Sequence, residues 1–132
     1  MRSTERRALL ALLAAVLTAA AVAADRQQAK QKAELAATLT GGDPSRAPPL
    51  MRRYGCAGCH TIAGIPGADG KVGPPLGSLI ERVYIGGGVP NNAENLVQWL
   101  LEPPRFAPHA AMPPSGLGEA EARDIAAYLY AH

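Results

Sequence analysis

The sequence has few of the residues that would place it in several common classes of protein. One Phe, one Trp and four Tyr occur among 132 residues, and the formal net charge is +2. Because no stripe of basic side chains interleaved with aromatic ones exists, binding to nucleic acid is not expected. No alternation of apolar and polar residues predicts a strand. The two cysteines, Cys56 and Cys59, would close almost no loop as a disulfide and would stabilise a small exported domain little.

Residues 1–24 have the composition of a signal peptide or an N-terminal membrane anchor. Three Arg and one Glu lie in residues 1–7, and residues 8–24 contain only Ala, Leu and Val apart from Thr18. Small residues before Asp25 fit signal peptidase cleavage. An apolar run of about 17 residues also reaches the lower limit for spanning a bilayer. Both interpretations place the rest of the chain on the periplasmic side of the cytoplasmic membrane, either anchored, which we favour, or soluble.

The remainder divides into a helical stalk or linker at residues 25–40 and a domain at residues 41–132. Residues 25–40 are rich in Ala, Gln, Lys and Glu, and Gly41-Gly42 is expected to end this helix. Within the domain we predict helices at about residues 48–54 and 76–84, from an Asn91 or Asn92 N-cap to Leu101, and from near Gly118 onward. Loops dense in Gly and Pro separate them, at residues 61–75, 85–90 and 103–117. The expected fold class is all-α, with long loops that a central prosthetic group would organise.

The segment Cys56-Ala57-Gly58-Cys59-His60 is the C-x-x-C-H pattern of covalent haem attachment. Two thiols add across the two vinyl groups at one edge of the porphyrin, and the two intervening residues let one helical turn span that edge. The adjacent His60 can then approach the iron as an axial ligand. The pattern therefore predicts one covalent haem c, bound through Cys56 and Cys59.

Three other uses of this segment remain open. A thioredoxin-like redox pair would need a βαβ pattern, which the sequence does not show. A zinc site would need four ligands, and neither a second cysteine pair nor zinc spacing at His109 and His132 is present. A plain disulfide would leave the position of His60 without a reason.

The second axial ligand is expected downstream, and the candidates are Met112 and His109. Met112 lies in Ala-Met-Pro-Pro, where two prolines stiffen the loop after a helix. A thioether ligand raises the potential relative to a second imidazole, and a fixed sixth ligand suits an electron carrier. Met1 lies in the leader and Met51 is too close to the attachment segment. We therefore predict Met112 as the ligand and His109 as a surface residue.

From about Gly42 to Tyr130 the chain resembles the class I cytochromes c. Besides the attachment motif, Gly73-Pro74-Pro75-Leu76 is similar to the family's Gly-Pro-x-Leu segment. The resemblance implies the cytochrome c fold, with about four short helices and long loops around one haem, here preceded by an N-terminal apolar helix. It also implies that the carbonyl of Pro74 accepts a hydrogen bond from the proximal His60 and so orients it.

The resemblance implies further roles in the haem pocket. Arg82 falls where the family has an arginine that binds a haem propionate, and Leu96 and Trp99 are expected to face the pocket. One departure concerns the crossing of the terminal helices. The family has a small glycine about two turns before the first cysteine, whereas this chain has Pro48. A shifted contact of Leu50 and Tyr54 with Tyr128 is therefore expected.

These features predict an electron carrier rather than an enzyme. Its expected partners are redox complexes such as a terminal oxidase or a quinol:cytochrome c reductase, together with the membrane if residues 1–24 are retained. With three lysines in the exported part, docking should depend less on charge than on an apolar collar that comprises Ala57, Ile62, Ile65, Met112 and Pro113. The alternatives are an electron-entry subunit fixed to one oxidase or dehydrogenase, and a five-coordinate haem protein that binds ligands or peroxide.

Overall fold

Helices dominate the computed structural model, which describes residues 3–132. Within these residues it contains six α-helices, one two-stranded antiparallel hairpin and two 3-10 turns. The all-α prediction is therefore confirmed. The helices are α1 (Ser3–Thr40), α2 (Ala47–Arg53), α3 (Cys56–Cys59), α4 (Ala93–Leu101), α5 (Pro103–Phe106) and α6 (Glu119–Ala131); the strands are β1 (Tyr84–Ile85) and β2 (Val89–Pro90); and the 3-10 turns are Pro44–Arg46 and Leu79–Glu81.

The chain divides between Gln31 and Lys32 into two compact units. In the first unit, the described residues all belong to α1 and are exposed. This helix contains a window with a mean hydropathy of 2.2, which is long and apolar enough to cross a membrane, although a signal sequence has the same properties. Residues 1 and 2, at the start of the expected leader, lie outside the described residues.

The second unit begins earlier than residue 41, because the end of α1 contributes to its packing. Ala36 and Thr40 are buried, and the carbonyl of Thr40 accepts a hydrogen bond from Arg123 at 3.0 Å. Gly41, with a φ of 72°, ends the helix as expected. The expected divisions at residues 24/25 and 40/41 stay predictions, but not all of residues 25–40 is solvated.

Helix α6 is the central element of this unit, and α2 and α4 pack against it. Gly42 packs directly on the backbone of α6, where an added Cβ would lie 2.5 Å from the backbone nitrogen of Asp124. The backbone N–H of Asp43 donates to the Asp124 carboxylate at 2.7 Å, and Ala47 at the start of α2 is fully buried. The small residues at the crossing are thus Gly42 and Ala47, both of which precede Pro48 in the sequence.

The tyrosines expected to meet at this crossing make different contacts. The Tyr54 hydroxyl donates to Oε2 of Glu121 at 2.7 Å, on the first turn of α6. The Tyr128 hydroxyl donates to the carbonyl of Ala63 at 2.8 Å. The hydrogen bond from Tyr54, at the end of α2, therefore reaches α6 at Glu121, about two helical turns before Tyr128.

The predicted helix at residues 76–84 is wrong. Ser78 has a φ of 51°, and only the 3-10 turn Leu79–Glu81 follows it. The side-chain amide of Asn91 donates to the carbonyls of Leu79 and Arg82 at 2.7 and 2.8 Å, and so satisfies acceptors that a helix would use internally. The chain then enters a hairpin that the sequence did not predict, in which Ile85 pairs with Val89 across Gly86-Gly87-Gly88.

The other helix predictions hold, with one addition. Asn92 is the N-cap of α4, since its side chain accepts a hydrogen bond from the Asn95 N–H at 2.8 Å. Gly118 precedes α6 as expected. Residues 103–117 are not all loop, because Pro103 and Pro104 occupy the first turn of α5, where a missing N–H costs nothing.

Candidate functional site

The two cysteines and the histidine lie on one turn of backbone. Gly55, with a φ of 74°, separates α2 from the single turn of α3, and the N–H of His60 donates to the carbonyl of Cys56 at 3.0 Å. Both thiols are free, with Cys56 half-buried and Cys59 exposed. The turn therefore presents two thiols on one edge and places His60 immediately after them.

The environment of Cys56 adds no support for a dithiol redox centre. Burial raises the pKa of the Cys56 thiol above its usual value. A redox-active cysteine pair depends on a lowered thiol pKa, because the thiolate is the nucleophile. Among residues 3–132, no three His, Cys, Asp or Glu side chains come together as ligands for a metal ion, so the structure adds no support for a zinc site.

The imidazole of His60 is held by the last residues of the loop 61–75. Its Nδ1 lies 2.7 Å from the carbonyl oxygen of Pro74, as the resemblance implies. Because a carbonyl can only accept, Nδ1 must carry the proton, and Nε2 keeps a lone pair for a metal ion. The N–H of Gly73 donates to the carbonyl of Cys59 at 2.8 Å, which ties this segment to the attachment turn.

Gly73 also packs directly on the imidazole ring. A Cβ added there would lie 2.6 Å from Nδ1 of His60, closer than real Cβ contacts allow. A second bond, from the N–H of Leu76 to the carbonyl of Thr61 at 2.9 Å, continues the pairing of the two segments. The ring therefore has one orientation, set by both a hydrogen bond and a steric contact.

Arg82 lies on the same loop. Its Nη2 donates to the carbonyls of Pro75 and Gly77, the second at 3.1 Å. Both bonds use Nη2, which leaves the Nε and Nη1 donors for an anionic acceptor. The expected contact of Arg82 with a haem propionate stays a prediction.

The aromatic side chains of α4 and α5 border the same core. Leu96 is buried, and Trp99 is half-buried with its ring centroid 6.3 Å from that of Phe106. An added Cβ on Gly86 would lie 2.5 Å from Cε3 of Trp99, so this glycine admits the indole beside the hairpin. The role of Trp99 toward a cofactor stays a prediction.

Met112 is half-buried and packs against the buried core that Cys56, Leu76 and Trp99 also contact. Its loop is fastened to α4, because the Ser115 hydroxyl donates to the carbonyl of Leu100 at 2.6 Å. His109, the rival ligand candidate, is exposed on this loop. The structure thus places Met112, and not His109, against the core that the attachment turn borders.

One part of the expected docking collar is wrong. Ile62 and Ile65 are buried, with 4% and 5% of their surfaces exposed. The segment folds back on itself, since the N–H of Ile62 donates to the carbonyl of Ala68 at 3.1 Å. Of the collar residues, only Pro113 is exposed, and Ala57 and Met112 are half-buried.

Sequence reasoning missed the importance of Asn91. The sequence predicts Asn91 only as an alternative N-cap, yet its side chain contacts the 3-10 turn at Leu79, and Tyr130 of α6 donates to its Oδ1 at 2.8 Å. The adjacent pair Asn91-Asn92 was the one available signal. Nothing local in the sequence distinguishes a capping asparagine from one that links distant segments.

This arrangement fits a covalently bound haem, since it supplies two free thiols on one turn, an imidazole whose Nε2 is free, and a glycine against the imidazole ring. The family model described as cytochrome c matches residues 45–131. No match was found among curated proteins or among solved structures. The family implies a covalently attached haem c and generally comprises electron carriers rather than enzymes. The chain therefore belongs to the cytochrome c family and is a haem-binding electron carrier.

Proposed function

We propose that the protein carries single electrons between respiratory complexes on the outer face of the cytoplasmic membrane. One haem c would be bound through Cys56 and Cys59, with His60 and Met112 as axial ligands. The observation that carries this proposal is the bond of 2.7 Å between His60 Nδ1 and the carbonyl of Pro74. It leaves Nε2 of His60 as the ligand atom on the residue next to the two thiols.

Haem would supply the one-electron chemistry. The residues of this chain would keep the positions of the ligand side chains nearly the same in both oxidation states. The Pro74 carbonyl holds the imidazole in one tautomer and raises its basicity as a ligand. On the other side, Ser115 fastens the Met112 loop to Leu100 of α4. Because His60 is held by the Pro74 carbonyl and the loop of Met112 is held by Ser115, a change in oxidation state should require little movement of the protein.

The edge around Cys59 is the surface that we propose for electron exchange. Cys59 is exposed and Ala57, two residues before it, is half-buried; Pro113, which follows Met112, is also exposed. The exported part has ten basic and ten acidic residues from Ala24 onward, so charge steering should be weak. Contacts with a terminal oxidase or a quinol:cytochrome c reductase should accordingly be brief and small.

We further propose that residues 1–24 are retained as a membrane anchor. In support of this, α1 has an apolar window with a mean hydropathy of 2.2 and exposed leucines that include Leu9, Leu10, Leu12 and Leu13. A full-length haem protein that requires detergent for extraction would support the anchor. A soluble periplasmic protein whose mature chain starts near Ala24 would contradict it.

The proposal of an electron carrier is tested by voltammetry combined with the optical spectra of both oxidation states. A reversible one-electron wave and low-spin spectra are expected in both states. A high-spin ferric protein that binds azide or peroxide without mutation would instead favour the five-coordinate alternative. Stoichiometric co-purification with one oxidase or dehydrogenase would favour a fixed electron-entry subunit over a mobile or tethered carrier.

A further inference from the structure

Asn91 uses its side chain and its backbone to hold the segment that leads from the Pro74 loop to the hairpin. Its Nδ2 donates to the carbonyls of Leu79 and Arg82 at 2.7 and 2.8 Å. Its backbone N–H donates to the carbonyl of Val83 at 3.0 Å. Three bonds from one residue therefore hold residues 79–83, which form only a single 3-10 turn of their own.

Tyr130 binds the remaining polar atom of the Asn91 side chain. The Tyr130 hydroxyl, buried on α6, donates to Oδ1 of Asn91 at 2.8 Å. Because the carbonyls of Leu79 and Arg82 can only accept, the amide nitrogen must face them, and Oδ1 is left to accept from the Tyr130 hydroxyl. The C-terminal helix is thereby connected to residues 79–83.

Arg82 extends this network to the proximal side of the candidate haem site. Its backbone carbonyl is held by Asn91, and its Nη2 donates to the carbonyls of Pro75 and Gly77. Pro75 directly follows Pro74, whose carbonyl accepts the bond from His60. A series of hydrogen bonds thus runs from Tyr130 through Asn91 and Arg82 to Pro75, the residue that directly follows Pro74.

We propose that Tyr130 and Asn91 are positioning residues for the proximal ligand, because they hold Arg82 on the Pro74-Pro75 segment and so keep the Pro74 carbonyl aligned with the Nδ1–H of His60. This inference rests on the proposed role of His60 as an axial ligand. A well-aligned acceptor gives the imidazole more anionic character, which favours ferric iron. Loosening the acceptor should therefore raise the reduction potential.

The most direct variant is Tyr130→Phe, which removes one hydroxyl and leaves the ring in place. The matched control is Tyr54→Phe, which removes the hydroxyl bond from Tyr54 to Glu121 of α6, a bond that does not involve Asn91 or Arg82. In the reduced holoprotein, the exchange rate of the His60 Nδ1 proton can be followed by NMR, and the potential by voltammetry. If the two variants differed from wild type only in overall stability, they would have similar His60 exchange rates and similar potentials.

We expect Tyr130→Phe to speed exchange of the His60 proton by roughly fivefold to tenfold, the factor that corresponds to one weakened hydrogen bond. The potential should rise, and Asn91→Ala should shift both readouts in the same direction and further. Tyr54→Phe should leave both at wild-type values. Equal exchange rates and potentials in Tyr130→Phe and Tyr54→Phe would overturn the inference. If all variants kept the low-spin spectrum in that case, the proposed function would stand.

Discussion

His60 and Gly73 are in direct contact: a Cβ built on Gly73 would lie 2.6 Å from Nδ1 of the imidazole. The same glycine donates its N–H to the carbonyl of Cys59 at 2.8 Å. A side chain at this position would therefore have to displace either the ring or the backbone pairing that carries Pro74. The orientation of the His60 ring therefore requires a residue without a Cβ at position 73.

Gly73→Ala is expected to disturb the proximal side of the site. Overpacking of a tight contact typically costs about 1–3 kcal/mol, and here the cost falls on His60. Haem incorporation should decrease, and the denaturant midpoint of the remaining holoprotein should be lower. Gly77→Ala is the matched control, because an added Cβ at Gly77 meets nothing within 4 Å. Similar haem yields and midpoints for the two variants would contradict the packing argument.

Met112→Ala should remove the sulfur ligand and leave the fold in place. The ferric protein should lose its sulfur-to-iron charge-transfer band, its potential should fall, and added cyanide or azide should bind more readily. The exposed His109 provides the control, since His109→Ala should change none of these properties. Loss of sixth ligation in the His109 variant, with low-spin haem retained in Met112→Ala, would reverse the assignment.

Stability at low pH should depend on Glu121. Hydrogen bonds from the Gly118 N–H and then from the Tyr54 hydroxyl lower the pKa of this carboxyl below 4.5. A group with a depressed folded pKa contributes stability above its unfolded pKa, and this contribution is lost as the pH falls through the folded pKa. Glu121→Gln should therefore reduce the loss of stability below about pH 4.5, as measured by denaturant midpoints at several pH values.

Tyr54→Phe separates the two causes of this shift. It removes the hydrogen bond from the Tyr54 hydroxyl and keeps the bond from the Gly118 N–H. It should therefore reproduce only part of the effect of Glu121→Gln on acid stability. Identical pH profiles for wild type and Glu121→Gln would show that this carboxyl does not contribute to acid stability.

The features that were predicted correctly are those that depend on neighbouring residues. The spacing of Cys56 and Cys59 predicts one helical turn, and α3 is that turn. The Asn92 cap acts three residues away, on the N–H of Asn95. Gly41 and Gly118 delimit helices through their own backbone conformation. Such local signals can be interpreted without knowledge of the rest of the chain.

The features that were missed depend on distant residues. Residues 76–84 have the composition of a weak helix, but the side chain of Asn91, which Tyr130 also binds, satisfies backbone carbonyls of this segment in another conformation. The family's crossing glycine is Pro48 in this chain, and Gly42 packs against α6 instead, which can be recognised only once the position of α6 is known. Ile62 became a core residue only because its segment folds back through Ala68. In each case a tertiary contact overrides a local preference.

The intact mass of the purified chain under denaturing conditions tests the central claim most directly. Thioether bonds survive unfolding, so the wild-type mass should exceed that of the polypeptide by one haem. Cys56→Ala combined with Cys59→Ala should remove this excess and leave the chain largely unfolded. A wild-type chain without the added mass, or a double variant that folds fully without haem, would contradict the account.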